Sequence, residues 1–410
     1  MGDYLAAIDI GTTKICVLIA AINSKGKLDI VGIGQHPSNG LKKGVVVNIA
    51  MTVESIKAAV KEAETMAGIP IESAAVGISG GHIKSYNSTG VVAIKGRDVS
   101  QGDIDRVIEA TKAIAIPQDQ EILHVLPQYF KVDGQEYVLD SLGMYGVRLE
   151  AQVHIITGAV ASAQNIVKSC ELAGVKVSDI VLEQIASADA VLTDSERELG
   201  VGIIDIGGGT SDFALYKDGR IRHSKVLAIA GSHFTQDLAI GLGISRSAAE
   251  AVKKMHGTAE DFYGSDERVI EVSLDYEGGI KKVPLALVSD IVRSRALEIL
   301  ELFNDEFNEY RLKAFMASGV VLTGGGSLLA GMRQLSEEMF SMPVRIGYPL
   351  AHLHADNSMP DVLKSPIYST AYGLLLYSLH GRYQEAAKSA DAPLINRVFG
   401  RMKSWIYDFL

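Results

Sequence analysis

The first eighty residues alternate between short apolar runs and one helical stripe. Tyr4–Ile10 is apolar almost throughout, Lys14–Ile22 is rich in β-branched residues, and residues 28–34 follow a turn at Gly26. Each is predicted to be a strand. Over residues 52–67 the apolar positions Val53, Ile56, Val60, Ala63 and Ala67 recur at helical spacing, and Gly68-Ile69-Pro70 stops that helix. Residues 74–79 read as another strand and run into Gly80-Gly81. Strands alternating with helices predict an α/β fold.

From about residue 85 to 160 the texture changes. Strand-like stretches at 91–94, 129–132, 137–139 and 150–157 surround a helical pattern at 101–115 that Pro117 ends, which suggests a small inserted α+β unit. Beyond it, helices are expected over 159–173, 180–192, 245–256, 288–307 and 367–379, with buried strands at 200–206 and Val320–Thr323. Residues 381–393 are polar and aperiodic and read as a linker. Ala6-Ala7-Ile8-Asp9-Ile10-Gly11-Thr12-Thr13 is echoed by Gly202-Ile203-Ile204-Asp205-Ile206-Gly207-Gly208-Gly209-Thr210. A buried strand followed by Asp-Ile-Gly and a small-residue turn, met twice, predicts a duplicated domain with one loop from each half.

Composition narrows the function. The 410 residues carry 39 Lys and Arg against 49 Asp and Glu, a formal charge of −10, which argues against nucleic acid as a partner. At about 150 residues per domain, that length predicts two large lobes or several small domains. Cys16 and Cys170 are the 2 cysteines, stand in no metal-binding spacing, and fit a reduced, cytosolic compartment. The N-terminus has no basic segment ahead of an apolar one, and no apolar run is long enough to span a bilayer.

The candidate chemistry lies in three glycine loops. In Asp9-Ile10-Gly11-Thr12-Thr13-Lys14 a strand ends in a carboxylate, then offers a turn open to an anion, two hydroxyls and an ammonium. Gly207, Gly208, Gly209 and Thr210 repeat that arrangement after Asp205. Either loop alone could be an ordinary tight turn; two facing loops, each with an acid, suit a nucleoside triphosphate with Mg²⁺, bound directly or through water by Asp9 and Asp205. Gly324, Gly325, Gly326 and Ser327 follow a third buried strand. Neither a Walker A loop nor G-x-G-x-x-G occurs.

The three loops, in this order, resemble the actin / sugar kinase / DnaK-type chaperone superfamily, where they serve as phosphate-1, phosphate-2 and adenosine loops. Ile185-Ala186-Ser187-Ala188 and Ser369-Thr370-Ala371-Tyr372-Gly373 resemble its two small-residue crossing helices, and the resemblance covers residues 4–380. Ser79-Gly80-Gly81-His82 followed by the insert is most similar to the FtsA family of bacterial cell-division proteins, whose distinctive subdomain 1C stands there. The resemblance implies a two-lobed actin-like fold with duplicated mixed sheets. Subdomain 1A would comprise 1–84, 161–195 and 365–380, with 1C at 85–160. Subdomain 2A would comprise 196–235 and 316–364, with 2B at 236–315, a linker at 381–393 and an amphipathic helix at 394–410. It implies that Gly231, in G-S-H-F-T-Q-D, and Glu250 and Lys253 approach the nucleotide. Glu183 stands where bacterial actins carry the acid that positions the attacking water, although Gln184 follows it instead of their usual proline. Weak ATPase activity at most is expected. Arg295, and less directly Arg293, fall where the family receives the C-terminal peptide of FtsZ.

On a helical wheel, Ile395, Val398, Phe399, Met402, Trp405, Ile406, Phe409 and Leu410 fill an arc of about 140°, with Arg397, Arg401 and Lys403 among the residues opposite. An apolar face with aromatic anchors and a basic polar face describes a helix lying in a membrane interface, where each basic residue adds ~1 kcal/mol against anionic lipid. A helix docked on the body would show a similar apolar face; the polar stretch before it and the family's C-terminal targeting sequence favour the membrane. The expectation is therefore a peripheral protein on the cytoplasmic side of the cell membrane at the septum. It would bind ATP, form filaments, tether the FtsZ ring and recruit later division proteins. A pilus-assembly-type actin-like adaptor is the alternative, followed by a small-molecule kinase. A chaperone would need a substrate domain after residue 380.

Overall fold

The computed structural model of the protein describes residues 4–261, 268–274, 279–349 and 361–388. Two five-stranded sheets have the same topology. In lobe I the order is Lys176–Leu182, Ser73–Ile78, Tyr4–Ile10, Lys14–Ile22, Leu28–Pro37. In lobe II it is Val344–Ile346, Val320–Thr323, Val201–Ile206, Ser211–Lys217, Arg220–Leu227. The first three strands of each order run parallel and the last three antiparallel. The duplication expected from the repeated Asp-Ile-Gly is therefore a duplication of whole sheets.

Each sheet is buried on both faces, which is why its central strands are apolar throughout: Val201–Ile206 is buried at every position. Lobe I's core gathers around Ile8, Ile15, Leu18 and Ile56. Lobe II's gathers around Phe213, Phe303, Phe307 and Phe340. Helices Glu183–Val191 and Ser369–Lys388 pack tightly against each other. Small residues make this possible, since a Cβ on Gly373 would overlap the Ala186 carbonyl.

The insert has its own sheet, ordered Lys84–Asp98, Tyr145–Ala159, Gln120–Val132, Gln135–Val138, antiparallel throughout. Helix Gln101–Thr111 covers it, burying Ile104, Val107 and Ile108 on an independent core. The insert also leans on lobe II. Gln128 donates to the carbonyls of Ile221 (3.2 Å) and Arg222 (3.0 Å), and Ser85 to that of Ser224 (2.9 Å). His154 meets Ser224 Oγ at 2.9 Å.

Two expectations are corrected. The helix expected over 180–192 divides into strand Lys176–Leu182 and helix Glu183–Val191. Parallel pairing with Ser73–Ile78 draws Ile180, Val181 and Leu182 into the sheet, so tertiary context overrides the helical pattern. The helix expected over 367–379 runs from Ser369 to Lys388, so residues 381–388 of the expected linker are helical. Gln384, Glu385, Ala386, Ala387 and Lys388 are strong helix formers, and extending an anchored helix adds a hydrogen bond for each residue fixed. Residues 389–410, with Phe399, Arg401, Met402, Lys403, Trp405, Ile406 and Phe409, lie outside the described residues. Among the described residues no helix is long and apolar enough to cross a membrane.

Candidate functional site

Two turns of equal length close the central hairpins. Across them Asp9 is paired with Cys16 in lobe I, and Asp205 with Asp212 in lobe II. Gly11, Thr12, Thr13 and Lys14 thus correspond in order to Gly207, Gly208, Gly209 and Thr210. The two turns meet face to face: a Cβ on Gly209 would overlap Thr12 Oγ1, and one on Gly208 would overlap Thr13 Oγ1. Glycine in one turn is required by threonine in the other.

Other elements close around this junction. A Cβ on Gly324 would overlap Asp205 Oδ1, and one on Gly326 would overlap Ile206, so the third loop is stacked on the second. Ser327 is buried there and donates to the Gly324 carbonyl at 2.7 Å, while Gly325 faces Ile367. The amides of Gly231 and Ser232 donate to the Gly207 and Gly208 carbonyls at 3.0 and 2.7 Å, fixing helix Gly231–Leu242 against the second turn. Lys253 Nζ donates to the Gly231 carbonyl (3.1 Å), to Thr235 Oγ1 (3.0 Å) and to Glu250 Oε2 (2.7 Å). Gly231, Glu250 and Lys253 are thereby joined to the second turn. Lys14 Nζ donates to the Ile367 carbonyl at 2.6 Å and lies 4.5 Å from the centroid of the Tyr368 ring, turned toward the last helix.

The electrostatics single out four carboxylates. Burial pushes Asp9 up to about 6, with Lys14 pulling it down and Asp205 pushing it up. Burial raises Asp205 against the hydrogen bonds from Ser187 and Thr370 and the charge of Lys14. Asp212 is pushed up to about 7 by burial and by Asp205, against hydrogen bonds from Ser79 (2.5 Å) and Thr210. Glu183, first residue of its helix, rises well above the usual range through burial and then through Asp9, Asp212 and Asp205. Such a site takes up protons, or a cation that replaces them. The donor set fits Mg²⁺ held through water. Among the described residues no three of these side chains are placed to grip a metal directly, and Mg²⁺ keeps several of its waters. Burial and the neighbouring carboxylates favour the protonated form of Glu183.

Asp212, Ser79, Ser187 and Thr370 were not among the expected site residues. The local signal for Asp212 was the spacing Asp205 to Asp212, which only the hairpin register turns into a pair. Ser79 reaches Asp212, and Thr370 reaches Asp205, from segments more than a hundred residues away along the chain.

Arg295 and Arg293 lie on helix Leu285–Glu309, away from this junction. Arg295 donates to both oxygens of Asp237 (2.6 and 3.1 Å) and also to Glu298, and Arg293 Nη1 donates to the Ala259 carbonyl at 2.7 Å. Ile240, on the helix that carries Asp237, is exposed.

Duplicated sheets with two facing acidic glycine turns and a third loop stacked on the second define an actin-like protein. A solved structure of the PilM–PilN type IV pilus biogenesis complex is similar over 92% of this chain and 98% of that one, with a TM-score of 0.67 and 16% identity. MreB 5 of Spiroplasma citri bound to AMPPNP is similar over 95% of this chain and 99% of that one, with a TM-score of 0.55 and 15% identity. Residues 80–157 match the family model described as the SHS2 domain inserted in FTSA, and residues 202–373 match that of cell division protein FtsA. Cell division protein FtsA of Pseudomonas aeruginosa is 43% identical over 99% of this chain and 98% of its own length. The chain belongs to the FtsA family of cell-division proteins.

Proposed function

We propose that the chain binds ATP–Mg²⁺ between its lobes, self-assembles into filaments and tethers the FtsZ ring to the membrane, where it recruits later division proteins. The observation that carries the nucleotide reading is the meeting of the two acidic turns, with Thr12 and Thr13 set against Gly209 and Gly208. Gly11, Thr12, Thr13 and Gly207, Gly208, Gly209, Thr210 would cradle the phosphates, with Lys14 turning from Ile367 to join them. Asp9 and Asp205, with Asp212, would hold the waters of Mg²⁺. Glu250 and Lys253 would face the sugar, and Gly324, Gly325, Gly326 and Ser327 the base. Mg²⁺, when bound there, would supply positive charge beside these carboxylates; Glu183 would then orient the attacking water as a base, and slow turnover at most is expected.

The membrane and FtsZ readings rest on family membership and on the residue pattern. The peptide site combines Arg295 with the exposed apolar Ile240 nearby in the same helical region, which suits an acidic peptide with an apolar end. Phe399, Met402, Trp405, Ile406 and Phe409 would enter the headgroup boundary, with Arg401 and Lys403 on anionic phosphates. Pelleting with anionic liposomes and FtsZ tests the tether. Full-length protein should carry FtsZ into the pellet, and deletion of residues 394–410 should leave both in solution. Equal FtsZ in the pellet after that deletion would refute the tether.

A further inference from the structure

Residues Leu41–Lys42 and Val45–Val46 form a small hairpin that pairs Leu41 with Val46 and Lys42 with Val45. Its two central residues, Lys43 and Gly44, have φ of 53° and 77°. Two consecutive left-handed residues make a type I′ turn, whose first position ordinarily takes Asn, Asp or Gly. A lysine there costs backbone energy that a small residue would avoid. Lys95-Gly96 in the insert has the same backbone, with φ of 65° and 67°, so what distinguishes Lys43 is the place of its hairpin.

The hairpin tip stands at the junction of the lobes. The Gly44 amide donates to Thr12 Oγ1 at 2.9 Å, the same hydroxyl that a Cβ on Gly209 would overlap. A Cβ on Gly44 would lie 3.0 Å from the Ser79 carbonyl and 3.1 Å from Gly80 Cα. Ser79 in turn donates to Asp212. Burial and then the Lys43 charge hold the His233 imidazole below its ordinary range. His233 stands in the first turn of the helix whose Gly231 and Ser232 amides bond the second phosphate turn, so the lysine's field reaches across the cleft. Lys43 is exposed and has no carboxylate partner among the described residues.

From this placement we infer that Lys43 is a polyphosphate-binding residue, a mobile ammonium carried on a strained hairpin that closes over the outermost phosphate and favours a nucleoside triphosphate over the diphosphate. The inference rests on the nucleotide reading above. Thr12 couples the two: its hydroxyl accepts from the hairpin while its turn cradles the phosphates, so an occupied turn fixes the position of the tip. A lone ammonium on a long flexible stem suits a terminal phosphate whose orientation varies, as a point charge and not a geometric fork.

Titration of the full chain with Mg–ATP and with Mg–ADP tests this, using Lys43→Ala, Lys43→Gly, and Lys42→Ala as a neighbouring control. Lys43→Ala should weaken Mg–ATP binding about tenfold and Mg–ADP binding less than twofold. Lys43→Gly should show the same selective loss with an unchanged or higher melting temperature, because glycine accepts the left-handed turn without strain. Lys42→Ala should bind both as wild type does. Equal losses for the two nucleotides, or none, would overturn the assignment. Wild-type protein that binds neither nucleotide would instead overturn the nucleotide reading, and this inference with it.

Discussion

The two central turns are equal in length and opposite in character. Lobe I presents Thr12, Thr13 and Lys14 where lobe II presents Gly208, Gly209 and Thr210, and Cys16 where lobe II has Asp212. Thr12 meets Gly209 and Thr13 meets Gly208, the cross-pairing of corresponding residues that a two-fold arrangement demands. Bulk on one side is matched by its absence on the other. Charge divides in the same way. The lobe I turn brings the cation, while lobe II brings a second acid, pushed up to about 7, at the position where lobe I buries a thiol pushed up to about 12. A duplicated sheet thus meets itself with the cation on one jaw and the additional buried acid on the other.

The steric half of this comparison predicts the largest effect. Gly209→Thr should drive a branched side chain into Thr12 and lower Mg–ATP affinity ~30-fold or more, about 2 kcal/mol. The exchange Thr12→Gly with Gly209→Thr moves the bulk to the other jaw and should recover at least half of that free energy in a double-mutant cycle. A swap no better than the single variant would show that the turns are not complementary.

The electrostatic half predicts a smaller, pH-dependent effect. Asp9 at about 6 and Asp212 at about 7 lie above the ordinary carboxylate value of 3.8, so between those limits the folded state binds more protons than the unfolded chain. These two acids therefore make stability without metal or nucleotide fall as pH rises from about 4 toward 7. The buried His124 and His154, held below their ordinary range by burial, make it rise over that range, so the acids' share is read from the difference between wild type and Asp212→Asn. Asp212→Asn should remove part of that slope and raise the melting point at pH 8, a change on the order of 1–2 kcal/mol. Millimolar Mg²⁺ with nucleotide should stabilise the wild type more at pH 8 than at pH 5. An Asp212→Asn profile parallel to that of the wild type would contradict the acidic jaw.

The smallest effect lies outside the clamp. Arg295→Glu should weaken binding of an FtsZ C-terminal peptide about tenfold and leave Mg–ATP affinity unchanged. Part of that loss comes from placing the new carboxylate beside Asp237, with which Arg295 now pairs. Wild-type peptide affinity in this variant would remove Arg295 from the site.

Much of the clamp was legible because its signals are local. Each turn declares itself by Asp-Ile-Gly at the end of an apolar run, and Glu250 and Lys253 are three residues apart on one helix face. What escaped was set by register and by distant pairing. Ser211–Lys217 is buried at every position except Lys217, so it lacks the alternation that marks a half-exposed strand. Residues 180–182 read as the start of a helix until Ser73–Ile78 is beside them. The Arg295–Asp237 pair spans 58 positions and leaves no mark in either segment. The turn lysine at position 43 was passed over because left-handed backbone is invisible in a Lys-Lys-Gly string.

Calorimetric titration of Mg–ATP into the full chain and into Asp205→Ala tests the clamp most directly. Asp205 carries the acidic jaw: it accepts from Ser187 and Thr370, touches the third loop through Gly324 and raises its neighbours Asp9 and Asp212. Saturable Mg–ATP binding in the wild type, with none in a variant that retains its melting transition, is the predicted result. Unchanged affinity in Asp205→Ala would contradict a nucleotide held between the two jaws.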